Sequence, residues 1–535
     1  MEKVDDEAGV VKPPSRAKHT AESTRPDLSQ ANADQHRAVA LATEGESFFL
    51  TGGAGTGKTF TLQLIIDALR EKHGAGHVFP TASTGIAASH ISGTTLHWFS
   101  GCGLCKDRMD VLYDRLNGAK PGSKGSAALE RWIKCKVLIV DEISMLAPSV
   151  FTKLDRLARK LRQNDEKPFG GIQLILCGDF FQLPPFEKGV VRAPYLFEET
   201  ESWSLWVPHT VLLTKTIRQS GDVEFIELLN EVRQGGQNLS EKSKELLKGM
   251  MKPSATQAEE DPFAIQLHPH KLPAGVRNET LLGKLEGETF TYTAADRKGG
   301  VASCDVKTLN LKVGAQVICL LNIPEDGIYN GSKGVVTGFK VPDTSPHRDV
   351  WRVSVNRKGI QERDKYMYPV VDFETPCGKG TTRLMVPEDI PLNNDDEMVQ
   401  VPLQLAWALT IHKAQGMTLR SVEIKIAGCW SPGQAYVALS RCVAMESARI
   451  LDNCDLSTII KGIKVDEEVC SFYARLQDSE LCERLAEVAP EEEPPATERL
   501  ESRHRSRIVA GKGRHEDEET SRNWQQELLE KRQRR

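Results

Sequence analysis

The chain has 535 residues, of which 39% are hydrophobic and 27% charged, and its formal net charge is −5. At about 150 residues per domain, this length indicates three or four domains. The longest apolar runs, residues 317–321 and 405–409, are much shorter than the ~20 residues of a membrane span, which excludes a transmembrane protein. The charge excludes a general positive coat around nucleic acid but is compatible with a local basic channel.

The two ends of the chain lack the pattern of a folded domain. Residues 1–27 are polar and unpatterned, and residues 490–535 are highly charged, so both are predicted to be disordered tails. The first twenty residues contain Asp5 and Glu7 but no apolar block. This composition argues against a secretory signal and against a mitochondrial presequence, which is usually poor in acids.

The twelve cysteines are scattered along the chain, which indicates reduced thiols. Cys102 and Cys105 form a CxxC pair, but no second CxxC or paired histidine completes a zinc site. We interpret the pair as two ordinary thiols in a glycine-rich loop.

Residues 28–215 alternate short apolar strands with helical segments. Strands are predicted at residues 47–50, 137–140, 173–177 and 210–213, and helices at residues 60–69 and 150–161. This alternation is typical of a parallel sheet with helices on both faces. Residues 101–124 interrupt it with Gly, Lys and Asp, and we interpret them as an inserted subdomain or a long loop.

From about residue 333 to 390 the pattern is all β. Short strands separated by turn residues are predicted at residues 334–339, 351–355, 367–373 and 381–386. After residue 401 the α/β pattern resumes, with a strand at 421–426 and a helix at 433–441. The sequence therefore predicts a small barrel inserted into a second α/β domain.

The strongest local signal is a glycine-rich turn between a predicted strand and a predicted helix. It fits the pattern G-x-x-x-x-G-K-[ST] and consists of Gly52, Gly53, Ala54, Gly55, Thr56, Gly57, Lys58 and Thr59. Glycines let backbone amides surround phosphate oxygens, and the helix N-terminus adds its positive dipole end. Lys58 is expected to reach the β- and γ-phosphates of ATP, and Thr59 to ligate Mg²⁺. A glycine-rich turn without a ligand is the alternative.

Polar residues follow two further predicted strands. Asp141 and Glu142 end a four-residue apolar run, at the strand end where ligands of parallel sheets bind. Asp141 is expected to hold Mg²⁺, and Glu142 to orient or deprotonate the attacking water. Gln182 lies just beyond the next strand, where its amide could sense the γ-phosphate or could be an ordinary turn residue before two prolines. Together with the glycine-rich turn, the carboxylates favour hydrolysis over binding alone.

Seven segments occur in the order of the motifs of a known family. They are TGGAGTGKT, TASTGIAA, TLHWFSGCG, LIVDEISML, GDFFQLPP, ALTIHKAQGMTL and YVALSRC. Together they resemble the motifs of superfamily-one, class B helicases related to RecD. Residues 153–159 and 168–173 resemble the signature of the Pif-one (petite integration frequency) helicases, and the resemblance extends from residue 28 to 455.

The resemblance implies an α/β fold of two RecA-like P-loop domains with parallel sheets, plus a small all-β SH3-like insertion. ATP would lie between the two domains and single-stranded DNA across both. Asn330 and Gly331 resemble the entrance to the insertion. The expected boundaries are 28–208 for the first domain with an insertion at about 101–130, 209–335 and 400–489 for the second, and 336–399 for the SH3-like part.

The resemblance also implies roles for residues of the nucleotide site. Gln35 resembles the adenine-reading glutamine upstream of the first strand, although Ala31 and Asn32 depart from the Leu-Ser or Leu-Asn pair of the family. The phosphate, metal, water and sensor roles match Lys58, Thr59, Asp141, Glu142 and Gln182. Arg218 and Arg441 resemble the arginines of the fourth and sixth motifs, which would place positive charge where γ-phosphate charge develops.

Two segments match positions that face single-stranded DNA in the family. The expected contacts are Thr84, His97 and Phe99 in the first domain, and Thr410, His412, Lys413 and Gln415 in the second. Aromatic rings can stack on bases, and Thr or Lys can bind phosphate. For Trp98 and Phe99, packing in the core after a turn is an equally good explanation.

The activity implied by the resemblance is an ATP- and Mg²⁺-dependent DNA helicase that moves 5′ to 3′ on single-stranded DNA. It would unwind tailed or forked duplexes in telomere or genome maintenance, DNA repair and recombination. We expect a monomer when free and no membrane partner. An ATP-gated nucleic-acid clamp and an RNA helicase stay open as alternatives. The family has nuclear and mitochondrial members, and the acidic N-terminus favours the nucleus, with the mitochondrion as the alternative.

Overall fold

The computed structural model describes residues 28–488, apart from 104, 187–189, 191, 216–221, 252–263, 294, 297–307, 322, 324–325, 329–330, 342–366, 375–379, 392–396 and 420. The chain divides into two compact units, Met1–Ser471 and Phe472–Arg535. The described part of the second unit is helical up to Val488. The first unit contains two α/β domains and the β-rich insertion.

The first domain is built on a six-stranded parallel sheet with the order β3-β2-β4-β5-β1-β6. Its strands are β1 Phe48–Gly52, β2 Val78–Ala82, β3 Thr94–Thr95, β4 Val137–Asp141, β5 Gln173–Gly178 and β6 His209–Leu213. Strands β1 and β4 are buried along their whole length, and β5 is buried after its first residue, which explains their apolar runs. Because all strands are parallel, the segments that follow β4, β5 and β1 meet at one edge of the sheet.

Helices cover this sheet and form the core with it. They are α1 Ala33–Glu44, α2 Lys58–His73, α3 Gly85–His90, α4 Leu96–Ser100, α5 Met109–Asn117, α6 Lys124–Lys134, α7 Pro148–Arg162 and α8 Thr200–Trp206. Fully buried Phe48, Leu50, Ile65, Ile139 and Ile175 share one apolar cluster. Each such side chain contributes roughly 1.5–3 kcal/mol by leaving water. Helix α5 and the start of α6 lie within the predicted insertion at 101–130.

The turn between α7 and β5 is fixed by buried polar contacts. The carboxylate of Asp155 accepts hydrogen bonds from the Phe169 amide at 2.6 Å and from Arg159 Nε at 2.9 Å. Phe169 and Gly170 have φ of +49° and +61°, and a Cβ on Gly170 would lie 2.9 Å from the Ala158 carbonyl oxygen. The segment that carries the family signature thus holds this turn in a left-handed conformation that favours glycine.

The second domain has a four-stranded parallel sheet with the order β18-β7-β19-β20. Its strands are β7 Ile265–His268, β18 Ala408–Thr410, β19 Val422–Ile424 and β20 Ala448–Ile450. The helices of this region are α9 Val223–Arg233, α10 Glu241–Met250, α11 Lys271–Lys284, α12 Ile411–Ala414, α13 Gln434–Leu439, α14 Leu456–Gly462 and α15 Glu467–Val488. Helix α15 continues into the second compact unit. The two parallel sheets confirm the predicted α/β class.

The β-rich insertion is antiparallel. A five-stranded sheet, ordered β14-β13-β12-β11-β17, contains β11 Gln316–Cys319, β12 Lys333–Lys340, β13 Tyr368–Phe373, β14 Thr381–Leu384 and β17 Leu403–Leu405. The smaller sheets contain β8 Phe290–Thr293 with β10 Thr308–Leu311, and β9 Ala295–Asp296 with β15 Glu388–Pro391 and β16 Glu397–Gln400. Val317, Val336 and Val371, on three neighbouring strands of this sheet, are buried and pack in one apolar cluster.

Three predicted boundaries differ from the sheets. Strand β6 pairs with β1, so it belongs to the first sheet and not to a second domain that starts at residue 209. Strands β11 and β17 pair with each other, so the five-stranded sheet extends on both sides of the predicted range 336–399. The short-range pattern shows each strand but not its partner. The predicted strand 351–355, Asn330 and both predicted tails lie outside the described residues.

Candidate active site

The turn between β1 and α2 has the conformation of a phosphate-binding loop. Gly55 and Gly57 have φ of +78° and +88°, a region that favours glycine, and Gly57 caps the 16-residue helix α2. Thr56 Oγ1 donates to the Gly53 carbonyl oxygen at 2.9 Å. Lys58 Nζ donates to the carbonyl oxygens of Gly52 at 2.8 Å and Gly53 at 3.0 Å. The loop therefore places a lysine and a helix N-terminus together where a phosphate chain would bind.

Gly52 is required by the strand next to it. A Cβ at this position would lie 2.7 Å from the Leu213 carbonyl oxygen on β6 and 2.7 Å from Thr56 Oγ1. Any side chain would push β6 away or distort the loop. Lys58 and Thr59 are the first two residues of α2, and both are half-buried at the loop.

Two carboxylates stand at the end of β4. Asp141 is 6% exposed, and its Oδ1 accepts a hydrogen bond from the Glu142 amide at 2.8 Å. Burial, together with the neighbouring charge of Glu142, raises the pKa of Asp141 to about 7. Glu142 has φ of +53°, which is rare for a residue with a side chain, and its carbonyl oxygen accepts from Ser83 Oγ at 2.7 Å. A strained backbone thus fixes the direction of the Glu142 side chain.

Gln35 is fully buried in the first turn of α1. Its Oε1 accepts from the Asn32 amide at 2.9 Å, and Asn32 Oδ1 accepts from the Gln35 amide at 3.1 Å, which forms a capping box. Its Nε2 has no hydrogen-bond partner among the described residues. A buried, unpaired amide donor beside a phosphate-binding loop fits a role in reading a nucleotide base.

Polar side chains of the second domain reach the first domain beside the phosphate loop. Tyr436 Oη, on α13, accepts from the Ala54 amide at 2.7 Å and donates to Asp179 Oδ2 at 3.1 Å. Arg233, at the end of α9, pairs with the same fully buried carboxylate at 2.8 Å. Burial raises the pKa of Asp179, but the charge and hydrogen bonds of Arg233, together with the charge of Lys58, more than offset this effect, so the pKa is lowered overall. The sequence patterns did not predict that Asp179, Arg233 or Tyr436 belongs to this site.

Gln182 lies in a close contact between the two domains. It is 3% exposed, and its Oε1 has no hydrogen-bond partner among the described residues. Gly433 of the second domain has φ of +72°, and a Cβ there would lie 2.4 Å from the carbonyl oxygens of Phe181 and Gln182. The loop that carries Gln182 is therefore held against the glycine that precedes α13.

The two expected arginines have different outcomes. Arg218 lies outside the described residues. Arg441 is 5% exposed, and its guanidinium donates to Val437 O at 2.9 Å, Met417 O at 3.2 Å and Ser440 Oγ at 2.8 Å. These contacts are all within the second domain, so its expected role at the γ-phosphate stays a prediction.

The expected DNA contacts of the first domain divide into accessible and buried residues. Thr84 caps α3 and His97 lies on α4, and both are half-buried. Phe99 is fully buried, with its ring 5.2 Å from that of Phe79 and 4.8 Å from that of Trp132. This corrects the expected base contact of Phe99, because a ring enclosed in the core cannot stack on a base. Its neighbour Trp98 is 56% exposed. The Arg131 guanidinium carbon lies over the Trp98 ring, 4.0 Å from the ring centroid.

In the second domain, the expected contacts lie on or next to helix α12 but differ in exposure. Thr410 precedes the helix and is buried, with 8% of its surface exposed, whereas Lys413 is exposed and pairs with Gln404. The His412 ring stacks on Trp430 with 5.8 Å between centroids, and burial, followed by the charge of Lys271, lowers the pKa of His412. A cavity of about 560 Å³ beside α11 is lined by both Thr410 and Lys413. These groups suit stacking and phosphate contact.

Gln415 does not lie on this surface. It is 1% exposed, and its Nε2 donates to Glu142 Oε2 at 3.1 Å and to Ser144 Oγ at 3.3 Å. The expected DNA contact of Gln415 is therefore corrected: this side chain points to the carboxylate of Glu142. Residue type alone gave no sign of this direction, because a glutamine suits either environment.

The Cys102 and Cys105 thiols are free and buried. Within the described part of the chain, no group of three or more His, Cys, Asp and Glu side chains could hold a metal ion. In the same residues, no helix is both long and apolar enough to cross a membrane.

Two parallel α/β domains with a phosphate loop, paired carboxylates and a second domain against that loop define a RecA-like P-loop protein with a nucleotide cleft. Sequence profiles of two families match the chain: "PIF1-like helicase" over residues 28–243, and "DNA helicase Pif1, 2B domain" over residues 302–339. The chain is 37% identical over 463 residues to the ATP-dependent DNA helicase PIF1 of Homo sapiens, and the match covers 85% of this chain and 65% of that protein. It thus spans slightly less than two thirds of this relative.

Solved structures agree with this likeness. The crystal structure of Pif1 helicase from Candida albicans superposes with a TM-score of 0.70 at 33% identity, over 84% of this chain and 99% of that one. Bacteroides Pif1 in complex with ADP-AlF3 and single-stranded DNA gives a TM-score of 0.59 at 28% identity, over 84% of this chain and 97% of that one. The chain belongs to the PIF1-like helicase family, as the ordered motifs predicted.

Proposed function

We propose that this protein is an ATP-dependent DNA helicase that moves 5′ to 3′ along single-stranded DNA. The observation that carries the proposal is the contact of Tyr436 with the Ala54 amide, because it joins the second domain to the phosphate loop of the first. A motor of this kind needs two domains whose contact changes with the nucleotide between them. The direction of movement rests on the family resemblance alone.

The first domain would bind the nucleotide. The loop amides and Lys58 would hold its phosphates, and Gln35 would read its adenine through the unpaired amide nitrogen. Thr59 and Asp141 supply a hydroxyl and a carboxylate oxygen, the ligand types that Mg²⁺ prefers. Bound Mg²⁺–ATP supplies the phosphoanhydride whose hydrolysis drives movement.

The protein's own chemistry is to position water and to stabilise charge. Glu142 would accept the proton of the attacking water, and Gln182 would contact the γ-phosphate. Arg218 and Arg441 would add positive charge from the second domain. Because Arg441 bonds to its own domain in this structure, its side chain would have to turn towards the cleft.

Single-stranded DNA would lie across both domains, and tailed or forked duplexes would be unwound. Thr84, His97 and the exposed Trp98 would contact it on the first domain, and Thr410, His412 and Lys413 on the second. Exposed aromatic and basic side chains on both domains support this path. We infer a role in telomere or genome maintenance, DNA repair and recombination, in a nucleus or a mitochondrion, by a protein that is monomeric when free.

The test is the rate of ATP hydrolysis with Mg²⁺, alone and with single-stranded DNA or RNA of the same sequence. We expect DNA to raise the rate strongly, and Lys58→Ala to remove hydrolysis in both conditions. A rate that does not respond to DNA would contradict the proposed motor, and stimulation by RNA alone would favour an RNA helicase.

A further inference from the structure

Gln415 connects the DNA-contacting helix of the second domain to the catalytic carboxylate of the first. It directly follows α12, whose residues include His412 and Lys413, and it is the C-terminal cap of that helix. Its Nε2 lies 3.1 Å from Glu142 Oε2. The amide nitrogen faces the carboxylate because an N–H donates to a carboxylate oxygen, whereas the amide oxygen can only accept. A shift of α12 therefore moves a hydrogen-bond donor of Glu142.

This hydrogen bond restrains Glu142 in two ways. It occupies one oxygen of the carboxylate that would otherwise be open to the attacking water. It also attaches the side chain to the second domain, while the backbone of Glu142 is already held at φ +53°. The contact thus keeps the base in one position.

Within the described residues, the contact leaves one buried polar atom of Gln415 unsatisfied. Gln415 is 1% exposed, and its Oε1 has no hydrogen-bond partner among the described residues. A buried acceptor without a partner costs roughly 1–3 kcal/mol in other proteins. An arrangement in which α12 moves would let this oxygen find a partner and release Glu142.

The first domain's DNA segment touches the same turn. Gly416 has φ of +82°, and a Cβ there would lie 3.6 Å from Ile86 Cγ2 and 3.7 Å from the Ala87 amide, both on α3. Thr84, an expected DNA contact, caps that helix. DNA that binds across α3 and α12 would therefore act on both sides of the turn that carries Gln415.

We propose that Gln415 is a positioning residue that restrains Glu142 until single-stranded DNA displaces α12. The inference rests on the proposed function and adds to it the route by which DNA controls hydrolysis. It makes two linked statements: the contact lowers hydrolysis without DNA, and DNA must break it to bind. By linkage, loss of the contact must also strengthen DNA binding in the absence of nucleotide.

The test replaces Gln415 by methionine, which is similar in volume but makes no such hydrogen bond. Gln266→Met is the matched control, because Gln266 Nε2 donates to Glu423 Oε2 at 2.8 Å entirely within the second sheet. For each full-length variant we would measure kcat and KM for ATP without DNA and with saturating DNA. Fluorescence anisotropy of a labelled oligothymidine would give DNA affinity without nucleotide.

We expect Gln415→Met to raise kcat without DNA about tenfold, as loss of one hydrogen bond to a charged group predicts. The kcat with saturating DNA and the KM for ATP should stay within about twofold. DNA should bind more tightly to Gln415→Met than to wild type, while Gln266→Met should behave as wild type in all three measurements.

A kcat without DNA at or below the wild-type value, or an unchanged DNA affinity, would overturn the inference. If wild type responds to DNA and both variants respond equally, Gln415 has only a structural role while the proposed function stands. If wild type itself hydrolyses ATP without any response to DNA, the proposed function fails, and the inference fails with it.

Discussion

The hydroxyl of Tyr436 accepts a hydrogen bond from the backbone amide of Ala54 at 2.7 Å, although the two residues are 382 positions apart in the chain. Ala54 belongs to the loop whose amides are expected to hold phosphate. The same hydroxyl donates to Asp179, which Arg233 also contacts. A side chain of the second domain therefore occupies one of the donors that a nucleotide would use.

Replacement of Tyr436 by phenylalanine should make nucleotide binding tighter. The variant keeps the buried ring but removes the competitor for the Ala54 amide, which is worth about 1 kcal/mol, or roughly fivefold in affinity. Titration with a fluorescent ATP analogue measures this. Tyr195→Phe is the control, because Tyr195 is equally buried but packs on Phe197 in the first domain. Weaker binding to Tyr436→Phe would show that the hydroxyl assists the nucleotide.

Replacement of Lys58 by alanine should remove ATP hydrolysis and leave the fold intact. The ammonium group donates to two loop carbonyls here and is expected to neutralise phosphate charge when nucleotide binds. A steady-state phosphate-release assay, with circular dichroism as the test of folding, checks this. Lys72→Ala changes an exposed lysine at the other end of α2 and should hydrolyse ATP normally. Wild-type hydrolysis by folded Lys58→Ala would refute the site.

Glu142→Gln should separate nucleotide binding from hydrolysis. The amide keeps the size of the carboxylate but cannot accept the proton of the attacking water, so the rate should fall by about 10²–10⁴-fold. Affinity for Mg²⁺–ATP should stay close to that of wild type, as measured by isothermal titration. If affinity fell as far as in Lys58→Ala, the role assigned to Glu142 would be withdrawn.

Gly433→Ala should open the contact between the two domains. Its Cβ would lie 2.4 Å from two carbonyl oxygens, and φ of +72° strains any residue with a side chain, so we expect a loss of about 1–3 kcal/mol. Hydrolysis should fall because the added Cβ would displace the loop that carries Gln182, the residue expected to contact the γ-phosphate. Gly428→Ala is the control, since a Cβ on Gly428 would have Pro269 Cγ as its nearest atom, at an ordinary contact distance of 3.6 Å. Equal melting temperatures and rates for the two variants would refute this effect.

Residues whose role depends on neighbours in sequence could be predicted. The phosphate loop and Asp141–Glu142 have local patterns, since the strand, the turn and the helix needed for them are adjacent in the chain. The alternation of strands and helices gave the α/β class for the same reason. The pairing of strands could not be predicted in the same way, because nothing in the sequence of residues 209–213 indicates that they pair with β1.

Contacts between distant segments could not be predicted from residue type. Trp98 and Phe99 are adjacent aromatic residues, and only the position of Trp132 on α6 decides which of them is buried. Gln415 lies among residues that are expected to contact DNA, yet its side chain bonds to Glu142. The sequence around Arg233 shows only an arginine at a helix end. Its ion pair with Asp179 depends on the position of that residue after β5, which only the folded structure shows.

Strand displacement on tailed duplexes tests whether this protein is a DNA helicase that moves 5′ to 3′. The substrates are one duplex with a 5′ single-stranded tail and one with a 3′ tail of equal length, each with ATP and Mg²⁺. We expect wild type to unwind the 5′-tailed duplex and to leave the 3′-tailed one intact. Glu142→Gln should unwind neither. ATP hydrolysis without strand separation on either substrate would contradict a helicase, and unwinding of the 3′-tailed duplex alone would contradict the proposed direction.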